Sequence, residues 1–223
     1  MNIIEYPDRD MLAIDLASTL AGELDGHLFH NDTASLAVAG GTTTGPIFDD
    51  LCAADLPWDR VHVFATDERW VANSDPRSNE RMIRERLLVN RAAKARFLPL
   101  HTPADQPEDV LPELEAVIAP ELPISVLVLG MGEDMHTASL FPGAPGLEAA
   151  LDNHAPILNV LRPETQPETR ISLSAGVLDG ALSKHLVIYG TKKREALMRA
   201  MTLPPEEAPI QAVLSETMIH WAE

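Results

Sequence analysis

The stretch VLGMGEDMHTASLFPG, residues 128–143, runs from an apolar segment into a loop that sets Asp134 and His136 two residues apart. An imidazole with an ordinary pKa of about 6.5 can take a proton from water near neutral pH. A neighbouring carboxylate can hold its ring in one orientation. A lone His is more often structural than catalytic. One that follows a buried strand, in a loop bounded by Gly130, Gly132 and Pro142 and too polar for a core segment, points instead to a general base.

Three other clusters carry chemistry of a different kind. In AGGTTTGP, residues 39–46, Gly40 and Gly41 allow close backbone approach, Thr42, Thr43 and Thr44 supply hydroxyls, and a following helix start favours an anion. The pattern is neither GxxxxGK[ST] nor GxGxxG, and a tight strand-to-helix turn explains it equally well. In ATDERWV, Asp67, Glu68 and Arg69 follow directly on an apolar run; in isolation they read better as a solvated strand end. Ser78 is suited to capping the next helix, which needs no function. In YGTKKREAL, Lys192 and Lys193 sit at a helix start, where the helix dipole disfavours cations. Either an external anion partners them or they are a solvated surface pair. Arg170, at the start of RISLS, is a further cation whose direction the sequence leaves open.

Other chemistries lack their signatures. His27 and His30 share a helical spacing with Asp25 and Asp32 nearby, but there is no HExxH, and solvated helix-end histidines account for them better. No GxSxG elbow is present. Cys52 is the only cysteine, which leaves no internal disulfide and no CxxC metal knuckle.

The elements that must position these residues follow from apolar periodicity. Leu12, Leu16, Leu20, Leu24 and Leu28 recur every fourth residue and predict an amphipathic helix between Asp8 and Phe29. Strands are predicted at SLAVAG, RVHVFATDE, ARFLPL, ISVLVLG, APILNVL, RISLS and KHLVIYG, and helices through GPIFDDLCAADL, SNERMIRERLL, VLPELEAVI and TKKREALMRAM. The ending PIQAVLSETMIHWAE is ambiguous between helix and strand. Strands alternating with helices predict an α/β fold, a single-domain, Rossmann-like and mainly parallel sheet with helices on both faces. In such sheets ligands bind beyond the carboxyl ends of the strands. The polar residues after SLAVAG, HVFAT, VLVLG and VIYG should therefore meet in one crevice.

Composition narrows the partners. The chain has 223 residues, 45% of them hydrophobic and 23% charged, which is ordinary for a globular protein. Its 34 acidic residues against 17 basic ones give a net charge of -17, which repels phosphodiester backbones and argues against nucleic acid. An anionic substrate would need a few cations gathered in a pocket against that field. The acidic N-terminus does not read as a signal peptide, and no apolar run approaches a membrane span, so the reading is a cytoplasmic protein without membrane association.

Taken in order, AGGTTT, DERWV followed by SNERMIRERLL, GMGEDMHTASLFPG, RISLS and GTKKREAL resemble the 6-phosphogluconolactonase family, with HTASLFPG the most specific run. The likeness extends from about residue 35 to residue 200. It implies one α/β domain over residues 1–223, a monomer, no metal and no cofactor. The implied reaction is hydrolysis of 6-phospho-D-glucono-1,5-lactone, the second step of the oxidative pentose phosphate pathway. The resemblance makes His136 the general base, with Asp134 or Asp67 orienting it or the water. It assigns the phosphate to Arg69, Lys193 and the loop Gly40, Gly41, Thr42 and Thr43, with Arg170 as a further cation. Ala39, Thr42 and Thr44 depart from the family's SGGSTP. Met135 replaces the Gly of its DGH, which predicts a reshaped loop or one shielded by the Met side chain. A deaminase acting on glucosamine 6-phosphate resembles the same pattern but carries IAFNEP after its DGH, and Phe141 stands where that Glu would be. A non-catalytic sugar-phosphate sensor is the other alternative.

Overall fold

The computed structural model describes residues 2–223. Along the chain the elements are β1 (Asn2–Glu5), α1 (Arg9–His30), β2 (Ala34–Val38), α2 (Gly45–Leu51), β3 (Val61–Ala65), β4 (Asp67–Arg69), α3 (Asn79–Arg86), β5 (Arg96–Phe97) and α4 (Leu111–Ile118). Then follow β6 (Val126–Gly130), α5 (Leu147–Leu151), β7 (Leu158–Leu161), β8 (Arg170–Leu173), α6 (Ala175–Asp179), β9 (Ser183–Tyr189), α7 (Thr191–Ala200) and β10 (Met218–Ala222). Seven strands form one parallel sheet in the order β1-β10-β9-β6-β2-β3-β5. The fold is the expected α/β, Rossmann-like arrangement.

The central strands explain why the sheet reads so clearly. All five residues of β2 are buried, as are the first four of β6, because helices cover a parallel sheet on both faces and its middle strands become continuous apolar runs. Helix α1 lies against this layer with Leu12, Leu16, Leu20, Leu24 and Leu28 all buried, and Asp8 caps it by accepting from the Met11 amide at 2.8 Å. Polar groups where β2 and β6 begin are matched pairwise. Ser35 N donates to Ser125 Oγ at 3.1 Å and Ser125 N to Ser35 Oγ at 2.9 Å, so neither amide is left without a partner.

The run RVHVFATDE is not one strand. Thr66 is a pivot: its amide donates to Val38 O on the main sheet at 3.0 Å, and its carbonyl accepts from Leu173 N of β8, also at 3.0 Å. Beyond it the chain leaves the parallel sheet, and β4 joins an antiparallel sheet of order β4-β8-β7. The strands expected at APILNVL and RISLS belong to this second sheet. The ambiguous C-terminal ending forms a short 3-10 helix, Pro209–Val213, and then β10, which is flanked by β9 and by β1, a strand the sequence pattern did not reveal.

Beneath α1 the sheet carries a buried imidazole pair. His185 Nε2 lies 2.8 Å from Glu23 Oε2, its Nδ1 lies 3.0 Å from His220 Nε2, and His220 Nδ1 lies 3.0 Å from the Tyr6 hydroxyl. Burial first, and His185 second, push the His220 pKa down to about 4 against the pull of Asp15 and Glu23. The folded chain thus keeps His220 neutral where the unfolded chain, with an ordinary imidazole at about 6.5, would take a proton. Stability supplied by this group is present above about pH 6.5 and is lost as pH falls toward 4. From about pH 7.5 to pH 5, urea denaturation should show a loss from this site of roughly 2 kcal/mol that His220→Gln lacks; equal losses in both proteins would contradict the assignment.

Candidate active site

The four loops do meet. A cavity of about 300 Å³ opens beyond the carboxyl ends of β2, β6 and β9 and beside β4 and β8, within the size range of small-molecule sites. Gly40, Gly41, Thr42, Thr43, Asp67, Arg69, His136, Arg170 and Lys193 all line it. Asp134 reaches the cavity only through His136. Lys192, the other half of the lysine pair, is exposed and lies outside the cavity lining.

At one end sits the imidazole. His136 Nδ1 lies 2.5 Å from Asp134 Oδ1, a contact that assigns the Nδ1 proton to the carboxylate side and leaves Nε2 as the basic nitrogen. Burial works against the Asp134 charge, but the bond and the charge of His136 outweigh it and hold the carboxyl below its ordinary pKa. The other ring contact is Phe141, stacked at 4.1 Å between centroids and 24° between planes. The loop that carries the pair is fastened by its backbone. Gly132 N donates to His136 O at 3.0 Å, and Thr137 Oγ1 donates to Gly130 O at 2.9 Å. Gly132 is required by close approach, because a Cβ there would fall 2.3 Å from both Asp134 Oδ1 and His136 Nδ1.

Asp67 takes a different part. Its Oδ2 accepts from Ser139 Oγ at 2.5 Å and lies 4.0 Å from Arg170 Nη1, while Oδ1 accepts from Thr66 Oγ1 at 3.1 Å. These contacts tie it to the cations and to the HTASLFPG loop, whereas Asp134 holds the imidazole. Ser139 is bolted further through its amide, which donates to Ser172 Oγ on β8 at 3.2 Å.

The other end is cationic. Register places Arg69 of β4 directly opposite Arg170 of β8, an arrangement of like charges that is destabilising unless something neutralises it. Arg69 Nη1 donates to Asn79 Oδ1 at 2.6 Å and to Arg77 O at 2.8 Å, and Arg170 Nη2 donates to Gln166 Oε1 at 2.9 Å. Each guanidinium keeps a buried Nε with no hydrogen-bond partner among the described residues. Burial, then the charge of Arg69, lowers the Arg170 pKa; Asp67, Glu168 and Glu68 oppose the shift. Lys193 is likewise lowered by burial, against Glu133 and Asp134. The amides of Gly40, Gly41, Thr42 and Thr43 make no hydrogen bond among the described residues. Two arginines held by neutral partners, a half-buried lysine and four loop amides free of hydrogen bonds among the described residues line one wall, a donor set suited to an anion. Asn79 and Gln166 escaped the sequence reading: Asn79 read only as a helix start, and Gln166 lies in a Pro-rich loop with no local signal. Among the described residues, no group of three or more His, Cys, Asp or Glu is placed to hold a metal ion.

Residues 7–221 match the sequence family described as glucosamine-6-phosphate isomerases/6-phosphogluconolactonase. The chain belongs to this family. A 6-phosphogluconolactonase of Mesorhizobium japonicum is 40% identical over 94% of this chain and 88% of its own length. A Rhizobium meliloti protein of the same name is 38% identical over 100% and 98%. The crystal structure of a 6-phosphogluconolactonase from Shewanella baltica superposes with a TM-score of 0.96 at 31% identity, covering 100% of this chain and 98% of the other.

Against the family pattern, Met135 was expected to reshape or shield the loop. It does neither. Met135 adopts φ 67°, the left-handed conformation a glycine would take there, held by its amide to Gly132 O at 3.0 Å and by Ile210 N to its carbonyl at 3.1 Å. Its side chain packs against the core and is absent from the cavity lining. The backbone bonds and apolar packing outweigh a strain of roughly 1 kcal/mol. Comparing Met135→Gly with Met135→Ala removes the side chain from both and isolates the strain. The Gly variant should be the more stable by about 1 kcal/mol in chemical denaturation, and the opposite order would contradict the strain.

Proposed function

We propose that the chain hydrolyses 6-phospho-D-glucono-1,5-lactone to 6-phosphogluconate, acting as a monomer and a single domain over residues 1–223 in the cytoplasm, without a cofactor. The observation that carries this reading is the polarity of one cavity: an Asp134-held imidazole at one end and Arg69, Arg170, Lys193 and the amides of residues 40–43 at the other. A phosphorylated lactone has the matching polarity, an activated ester at C1 and a dianion at C6. Net charge supports a small anion over nucleic acid, since only a local cluster of cations makes a -17 surface receptive to a phosphate.

In the proposed mechanism Nε2 of His136 takes a proton from water as the water oxygen attacks C1. The carbonyl electrons move onto its oxygen and form a tetrahedral oxyanion. When the carbonyl reforms, the bond from C1 to the ring oxygen breaks, and the imidazolium returns its proton to that oxygen as a hydroxyl. Asp134 stabilises the transient imidazolium and keeps the ring in the useful tautomer. The phosphate lies between Arg69, Arg170 and Lys193 with the loop Gly40, Gly41, Thr42 and Thr43 against it. Asp67 sets the position of Arg170 and of the loop bearing His136 through Ser139.

Phe141 favours hydrolysis over the deaminase chemistry that the family also contains. Its ring stacks on His136 where a deaminase of this pattern would place a proton-relaying Glu, and an apolar ring relays no proton. The test generates the lactone in situ and compares wild type with His136→Ala against spontaneous opening. Wild type should accelerate opening, and the variant should fall by about 10²-fold to 10⁴-fold, the range for loss of a general base. A folded wild type without acceleration would refute the reading, and an unimpaired variant would remove His136 as the base.

A further inference from the structure

Residue alternation along β4 separates two tasks. Asp67 and Arg69 face the cavity, and Glu68 between them points the other way, into the start of α3, where it is 1% exposed. A buried carboxylate is stable only when its oxygens are satisfied, and here both are. Oε1 accepts from the amides of Arg69 and Asn79, each at 2.8 Å, and Oε2 accepts from Ser78 Oγ at 3.0 Å and from the Glu80 amide at 2.7 Å.

The four donors lead back to the anion wall. Asn79 Oδ1 holds Arg69 Nη1 at 2.6 Å, and Asn79 Nδ2 donates to Asp67 O at 2.7 Å. The same Asn79 side chain packs so closely under Gly40 that a Cβ there would lie 1.9 Å from Oδ1. Three segments of the cavity, namely the glycine loop, β4 and the start of α3, are therefore registered through Asn79. Its own backbone is fixed by Glu68.

Resting on the lactonase reading above, we propose that Glu68 is a positioning residue for substrate anion binding: through Asn79 it holds Arg69 and the Gly40 loop in the geometry that receives the phosphate. It touches neither the cavity nor His136, so it acts on binding rather than on the chemical step.

Glu68→Gln tests this with the shape of the side chain kept. An amide can present one oxygen to one pair of donors, but its NH2 then faces the other pair. Electrostatics alone works in the opposite direction, because removing a buried negative charge beside Arg69 would strengthen anion binding. The measurements are kcat and KM for the lactone and the Kd of 6-phosphogluconate by calorimetry, for wild type, Glu68→Gln and Ser78→Ala. Glu68→Gln should raise KM and Kd about tenfold with kcat within about twofold, and Ser78→Ala should raise them about threefold. A merely structural role would reduce the folded fraction and hence the apparent kcat, with KM and Kd unmoved. Unchanged or tightened binding, or a fall in kcat alone, would overturn the proposal; if Glu68→Gln does not fold, the Ser78→Ala constants decide by the same criteria. A wild type that binds 6-phosphogluconate without opening the lactone would defeat the functional reading, yet the Kd comparison would still decide the role of Glu68. A wild type that does neither overturns both.

Discussion

Two guanidinium groups face each other across an antiparallel pair, and much of the structure around the cavity exists to make that tolerable. Arg69 and Arg170 occupy opposed positions in β4 and β8, mostly buried, each with an Nε that finds no partner among the described residues. Nearby carboxylates offset the charge without closing on it. Asp67 stands 4.0 Å from one nitrogen of Arg170 and Glu168 3.8 Å from another, too far for strong bonds and near enough to stabilise the pair. Neutral side chains, Asn79 and Gln166, take single nitrogens and fix the planes. What remains open on the cavity wall is Lys193 and the amides of residues 40–43, which make no hydrogen bond among the described residues.

That arrangement requires the second sheet. Had the chain continued straight after β3, Asp67 and Arg69 would extend the parallel sheet, and no strand would bring Arg170 opposite them. The pivot at Thr66 transfers the backbone ladder from Val38 to Leu173 within one residue. It thereby joins the β4 ribbon to the main sheet at the edge where β2 and β6 end. The imidazole end is built by independent means, a glycine-bounded loop after β6, and the two ends are tied by the bond from Ser139 to Asp67. The two ends of the cavity are thus built separately and joined at Ser139, whose hydroxyl reaches Asp67 of β4 and whose amide reaches Ser172 of β8.

Much of this was legible in the sequence, and the unread parts share a cause. The parallel sheet and its crevice follow from apolar runs with polar residues at their ends, a local pattern, and His136 with Asp134 shows itself by type and spacing alone. The ribbon does not, because VFATDER has nothing at Thr66 to mark a change of sheet; the turn is dictated by a partner, β8, about a hundred residues away. The same holds for Asn79, Gln166 and Glu68, whose importance lies in what they touch. Strand β1 is four residues and is defined by pairing with the far end of the chain. Met135 failed in a different way: its type argued against a left-handed backbone, and tertiary bonds overrode that preference.

On the proposed function, one cavity holds an anion at the arginine wall and presents the reacting carbon to His136. A crystal structure of the complex with 6-phosphogluconate tests it most directly. The phosphate should lie against Arg69, Arg170 and Lys193, in contact with the amides of the Gly40 loop, and the C1 carboxylate within hydrogen-bonding distance of Nε2 of His136. A phosphate at the His136 end, or a ligand bound outside this cavity, would contradict it.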